Sequence, residues 1–218
     1  MLDHAACSHA IHTQAATLAV VTTGSVSLGA TATGFTRATG SFVTDGFLVG
    51  MEVTPSGFAL NTTPVVIVGV TDTALNTLDA TSAESAASGR TLTVGYPTVA
   101  SENITFTPTP NRWYVNEQYL PGPGQQVEFG PGAALEIRPT MVFQVFGIAN
   151  TGPEALYKVA DGLLALFPPH QALPLATGDV ARVRTDVMPF RGQLQAATPG
   201  WSVVPVTVPL RVRTPNSI

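Results

Sequence analysis

The residue types best suited to chemistry lie towards the two ends of the chain. His4, Cys7, His9 and His12 stand close together. On a helix His4 and Cys7 are three residues apart, as are His9 and His12, a spacing at which neighbouring side chains share a face and could hold zinc. No carboxylate completes a ligand set, so no metal and no cofactor is assigned. The alternative is a helix start with exposed histidines. In the C-terminal half, Arg182 and Arg184, then Arg211 and Arg213, recur at every second position of two alternating segments. Such a pattern projects all four from one sheet. The arginine fork binds carboxylates and other anions in a bidentate manner, so the row suits an inter-subunit or lumen-facing strip as well as a solvated face. A third candidate is the Pro/Gly-rich stretch from Tyr119 to Gly132, with Gln125 and Gln126 at its tip and Phe129 just beyond. It is long for a hairpin connection. It reads either as an arm that reaches a neighbour or as a mobile loop.

Signatures of catalysis are missing. The single lysine, Lys158, is not preceded by the glycines of a phosphate-binding loop, and no HExxH, CxxC or Gly-x-Ser-x-Gly string occurs. Gly122-Pro123-Gly124 and Gly130-Pro131-Gly132 read as loop residues and not as phosphate cradles. Nothing places a Ser/His/Asp triad, and the chain is read as non-enzymatic.

Composition narrows the class. Hydrophobic residues make up 44% of the 218 residues and charged residues 11%, against a usual charged share of about a quarter. A surface so poor in charge fits either a β-rich domain coated with Thr and Ser or a protein largely covered in an assembly. The net charge of -4 excludes a basic reader of nucleic acid. Residues 1–100 carry Arg37 and Arg90 against a surplus of acids, whereas bases and acids balance over 101–218, so the two parts differ in character. One cysteine allows no internal disulfide. The N-terminus lacks a basic signal-peptide region, and no apolar run approaches the roughly 20 residues of a membrane helix. The expectation is a soluble protein made in a cytoplasm, with no membrane partner.

The elements that must position these residues follow from periodicity. Residues 2–20 read as an Ala-rich helix, with Ile11, Ala15 and Leu18 on one face, stopping near Thr22-Thr23-Gly24. Over 24–95 short Thr/Ser/Val runs broken by Gly and Asn read as about five strands of a small β-sandwich or barrel-like module. Val65–Val70 and Thr91–Val94 are the clearest of them, and Ala80–Gly89 reads as a loop. Leu135, Ile137, Met141, Phe143 and Val145 alternate with Glu136, Arg138, Thr140 and Gln144, a half-buried strand that Pro139 interrupts. Thr151-Gly152-Pro153-Glu154 reads as a capping box. The helix after it carries Leu156, Val159, Ala160, Leu163, Leu164 and Phe167 as one apolar stripe, and Pro168-Pro169 ends it. Val180–Met188 reads as a strand with Ala181, Val183 and Val187 inward. Trp201–Arg213 is the last strand, with Val204, Val206, Val208, Leu210 and Val212 on one face. Pro205 and Pro209 cost it ladder donors, which points to an edge position or pairing on one side only. The fold class expected is α+β: a mainly antiparallel sheet with two helices packed on one face, formed by 1–23 and 96–218, plus an inserted all-β domain at 24–95.

Glu102-Asn103-Ile104-Thr105-Phe106-Thr107-Pro108, Arg112-Trp113-Tyr114-Val115 with Leu120-Pro121, Glu136–Gly147, Pro153–Phe167 and Trp201–Val212, taken in order, resemble the tail terminator proteins of long-tailed bacteriophages. The resemblance covers about 1–20 and 96–213. It implies a structural virion protein that caps the tail tube, ends its polymerisation and offers a docking surface to the head-completion (neck) proteins. It also implies a hexameric ring of identical chains, assembled in the host cytoplasm and carried in the virion, with DNA passing through the lumen without sequence-specific binding. The 24–95 insertion departs from the pattern. Its Thr39–Phe42, Asp45–Met51 and Ser56–Phe58 strings resemble a small β module that recurs in phage virion proteins, placed on the outside of the ring. Two other readings stay open: another neck or tail tube component, and a surface- or carbohydrate-binding β module.

Overall fold

Short runs of β-branched residues, punctuated by Gly, Asn and Pro, favour strands over helices, and among the described residues strands far outweigh helices. The computed structural model describes residues 3–24, 26–100, 106–126, 134–178, 180–184, 186–197 and 199–215.

The chain opens with α1 (His4–Ala15). Asp3 caps it, its carboxylate accepting from the amides of Ala5 and Ala6 at 2.9 and 3.0 Å. Cys7, Ile11 and Ala15, four residues apart, form the buried face. The helix is shorter than the sequence reading of 2–20. Val20, Val21, Thr22 and Thr23 are β-branched, and Ala19–Thr23 is a strand, β1. Leu18 is buried, but in the turn and not on the helix. Seven further strands follow: β2 (Leu28–Thr31), β3 (Gly34–Arg37), β4 (Glu52–Ser56), β5 (Val65–Val70), β6 (Ala74–Thr77), β7 (Glu84–Ala87) and β8 (Thr91–Gly95). A single helical turn, α2 (Phe42–Asp45), lies between β3 and β4. The strands form one antiparallel sheet in the order β1-β8-β4-β5-β6-β3-β2-β7. β1 is thus hydrogen-bonded to β8, Thr22 facing Thr93. The expected loop at Ala80–Gly89 contains β7. Its Glu84 accepts from the amides of Ala59, Leu60 and Asn61 and pairs with Arg90 at 2.8 Å, so a charged side chain anchors what small residues alone would leave loose.

The second sheet comprises β9 (Thr98–Ala100), β10 (Tyr114–Leu120), β11 (Gly124–Gln126), β12 (Ala134–Ile137), β13 (Thr140–Ile148), β14 (Ala172–Pro174), β15 (Val180–Val183), β16 (Phe190–Arg191), β17 (Gln195–Ala196) and β18 (Trp201–Pro215), with α3 (Glu154–Ala165) between β13 and β14. The main path is β11-β12-β18-β13-β10-β9, and only β9–β10 is parallel. Arg138-Pro139 separates β12 from β13, as the proline suggested.

β18 is central and paired on both sides, contrary to the expected edge position or one-sided pairing. β13 pairs with it continuously from Trp201 to Pro209, and β17, β16 and β15 line its other side. The prolines explain how. The Pro205 carbonyl accepts from the Gly192 amide and the Pro209 carbonyl from the Arg184 amide. Both residues therefore turn their donorless nitrogens away from β13, towards the side where the partner is broken into short pieces. Val204, Val206, Val208, Leu210 and Val212 are all fully buried, facing the same core as Met141, Phe143 and Val145 of β13.

α3 contributes Leu156, Val159, Ala160 and Leu163 to that core. Phe167, just past its C-cap, stacks on Phe143 with ring centroids 5.8 Å apart. The expected capping box does not form. Pro153 itself is the N-cap, without a side-chain bond, and the Thr151 hydroxyl turns back to the Ile148 carbonyl at 2.8 Å. The strand expected over Val180–Met188 stops at Val183, and Val187 is exposed. No helix among the described residues is long and apolar enough to cross a membrane.

Candidate functional site

The arginine row becomes a site where β12, β18 and β15 run side by side. Alternation on β15 and β18 sends Ala181, Val183, Leu210 and Val212 into the core and leaves Arg182, Arg211 and Arg213 on the opposite face. Register does the rest. Arg182 and Arg211 are direct cross-strand partners, and with Val180 and Arg213 they line a cavity of about 200 Å³. Like charges directly opposite one another destabilise a sheet. Among the described residues neither Arg182 nor Arg211 has a hydrogen-bond or ion-pair partner.

The flanking arginines are held differently. Glu136 of β12, 3% exposed, faces Arg213 in register. Its carboxylate accepts from Arg138 Nε at 2.9 Å and from Arg213 Nε at 3.2 Å. Burial works to raise the Glu136 carboxyl, but the hydrogen bonds from Arg138 and Arg213 and the charges of Arg138 and Arg211 outweigh it and hold the group below its usual range. Arg184 lies one residue past β15 and forms a bidentate pair with Asp186. Hydrogen bonding from Arg184 lowers Asp186 to about 2. Five guanidinium groups thus share two carboxylates, and the surplus positive charge sits on the unpaired Arg182–Arg211 rung.

The four arginines expected from the sequence do lie in one region, with Arg184 at its margin and turned to Asp186. Sequence reasoning missed Glu136 as their organiser. Glu136 and Arg138 share a face by alternation, which was legible, but their pairing with Arg213 depends on long-range register.

The glutamines are better ordered than a loop tip. Gln125 and Gln126 belong to β11, which pairs with β12 so that Gln125 faces Glu136 and Gln126 faces Leu135. This corrects the reading of Gly122–Gly124 as plain loop, since Gly124 begins β11. Gly122 is required by close approach: a Cβ there would lie 1.8 Å from the Arg138 carbonyl oxygen. Gln125, Glu136 and Arg213 consequently follow one another across three strands, which joins two candidate groups that are far apart in sequence. Phe129 lies outside the described residues.

The N-terminal histidines serve another purpose. His12 Nδ1 bonds to Glu117 at 3.0 Å, and the Tyr96 hydroxyl donates to the same carboxylate. His4 bonds to the Tyr119 hydroxyl at 3.1 Å. Both bonds seat α1 on β10. Cys7 is buried and its thiol is pushed up by that burial. No group of three or more potential ligands gathers among the described residues.

Neither the curated proteins nor the solved structures yield a match to the chain. A family model described as phage tail terminator protein matches residues 80–210, more than half of the chain. The match takes in β10, β13, α3 and most of β18, together with Arg182 and Arg184, and stops just short of Arg211 and Arg213. On that match, the chain belongs to the phage tail terminator family.

Proposed function

We propose that this chain forms a closed ring on the end of the tail tube, stops tube growth and presents its free face to the head-completion proteins. Membership in the family makes it a structural protein of the bacteriophage tail, with its place in the virion. The finer reading rests on one observation above all: the unpaired Arg182–Arg211 rung beside the cavity of about 200 Å³. In the free monomer two arginines opposed with no hydrogen-bonded carboxylate of their own repel one another. A neighbouring subunit or a tube protein that brings a carboxylate would relieve the repulsion and fix its own orientation through the guanidinium forks.

The parts divide naturally under this reading. The second sheet with α1 and α3, the helices on one face, is the ring-forming body. Residues 24–95 are an appended module on the outside of the ring, to which β1 adds a strand. The edge strand β11 and the segment after it extend the body towards a neighbour or the tube, and DNA crosses the lumen without sequence-specific contacts. Charge reversal, Arg211→Glu, tests the reading in a tube-assembly reaction with purified tail tube protein. The wild-type chain is expected to halt growth at defined lengths, and the variant, still folded by circular dichroism, to leave tubes long. Equal tube lengths with both proteins would reject the arginine rung as a docking element.

A further inference from the structure

A second cavity, of about 300 Å³, lies where β9 and β10 meet the start of β5, and its lining includes Glu52, Phe106, Thr109, Arg112, Trp113 and Tyr114. Three of these walls are aromatic. Arg112 pairs with Asp79 at 3.1 Å through Nη2, while its Nη1 has no hydrogen-bond partner; Trp113, only 2% exposed, packs its indole against Gly147 in the core. Buried polar groups are rarely left orphaned in a finished structure. The partly exposed guanidinium is a donor, so it suits an occupant that brings acceptors on an apolar body. Glu52 is already engaged, accepting from the Trp113 amide at 2.9 Å.

A segment of that chemistry is present on the same chain. Val187-Met188-Pro189-Phe190 leads into β16, and Val187, Met188 and Phe190 are 41%, 57% and 53% exposed. No other four consecutive described residues expose so many large apolar side chains. The carbonyls of Val187 and Met188 accept no backbone hydrogen bond from the described residues, and Pro189 has no donor to compete for them. The segment cannot reach the cavity of its own protomer. β16 pairs with β18, and β13 and β10 stand between β18 and β9. At a strand spacing of about 4.8 Å the two sites are about 19 Å apart across the sheet, on opposite flanks.

We infer that the Val187–Phe190 segment of one protomer inserts into the Trp113 cavity of the next, its carbonyls meeting the Arg112 guanidinium and its apolar side chains the aromatic walls. Different patches on opposite flanks make a head-to-tail contact, the kind that closes into a ring. The inference rests on the ring reading and adds the residues that join its subunits.

Cys7 is the only native cysteine and is buried, so engineered cysteines report without background. The full chain carrying Met188→Cys and Thr109→Cys together is expected, on mild oxidation, to give a ladder of covalent oligomers on a non-reducing gel, whereas either single variant gives none. Phe190→Ser, at an exposed position, is expected to raise the protomer concentration needed for ring formation about tenfold or more while leaving the fold intact. Rings seen by electron microscopy without the covalent ladder would overturn this contact and leave the ring reading standing. A chain that stays monomeric even with tail tube protein present would overturn both.

Discussion

Glu136 sets the behaviour of the arginine site at the level of single residues. Its carboxylate is buried between Arg138 and Arg213, yet both arginines are substantially exposed, at 40% and 56% of their side chains. Solvent therefore screens much of the attraction. Glu136→Gln is expected to cost about 1 kcal/mol of folding stability, measured by urea denaturation, and to leave Arg213 as free as Arg211. A cost several times larger would mean that the carboxylate is a core strut and not an organiser of the site. The sign of the pH effect follows from the lowered carboxyl. Its stabilisation is complete above the ordinary carboxylate range and is lost as pH falls through that range towards the folded-state value. Little of this was legible beforehand. The arginines stand out by alternation, but nothing in the local sequence around Arg213 names Glu136 as its partner, because cross-strand register is decided by strands far apart in the chain.

At the level of elements, the aliphatic alternation of β18 and the stripe of α3 could be read directly, since one period decides each. The helix predicts its own test. Leu163→Ala removes a fully buried side chain and is expected to cost about 2–5 kcal/mol, while Leu164→Ala, at the half-buried border of the same helix, costs clearly less. Equal costs in denaturant unfolding would show that α3 presents a different face to the sheet. What could not be read was the placement of these elements. Two prolines argued for an edge or for pairing on one side only, and β18 is central with both sides paired, because its second side is paired by fragments that leave room at each proline. The Ala-rich start hid the end of α1, where alanine favours a helix but the β-branched run after it joins a sheet. In the first sheet, Glu84 is held at about 2, chiefly by the Ala59 amide and then by the amides and side chain of Leu60 and Asn61. The stability it confers is present above the ordinary glutamate pKa and is lost as pH drops from there towards 2. Glu84→Gln is expected to flatten that part of the acid-unfolding curve, and an unchanged curve would remove Glu84 as the anchor of the loop at 59–61.

At the level of the molecule, the proposed assembly would account together for the low charge content and the exposed apolar segment at Val187–Phe190, since a surface covered by neighbours needs less charge to stay dispersed. The family could be recognised from the order of the β10, β13, α3 and β18 segments. The sites that would join the subunits could not, since the cavity and the segment proposed to fill it meet only when two copies stand side by side. The most direct measurement of the central claim is tail length by negative-stain electron microscopy in lysates of the parent phage with this gene disrupted. Overlong, uncapped tubes beside filled heads without tails are the expected result. Tails of normal length joined to heads would contradict it.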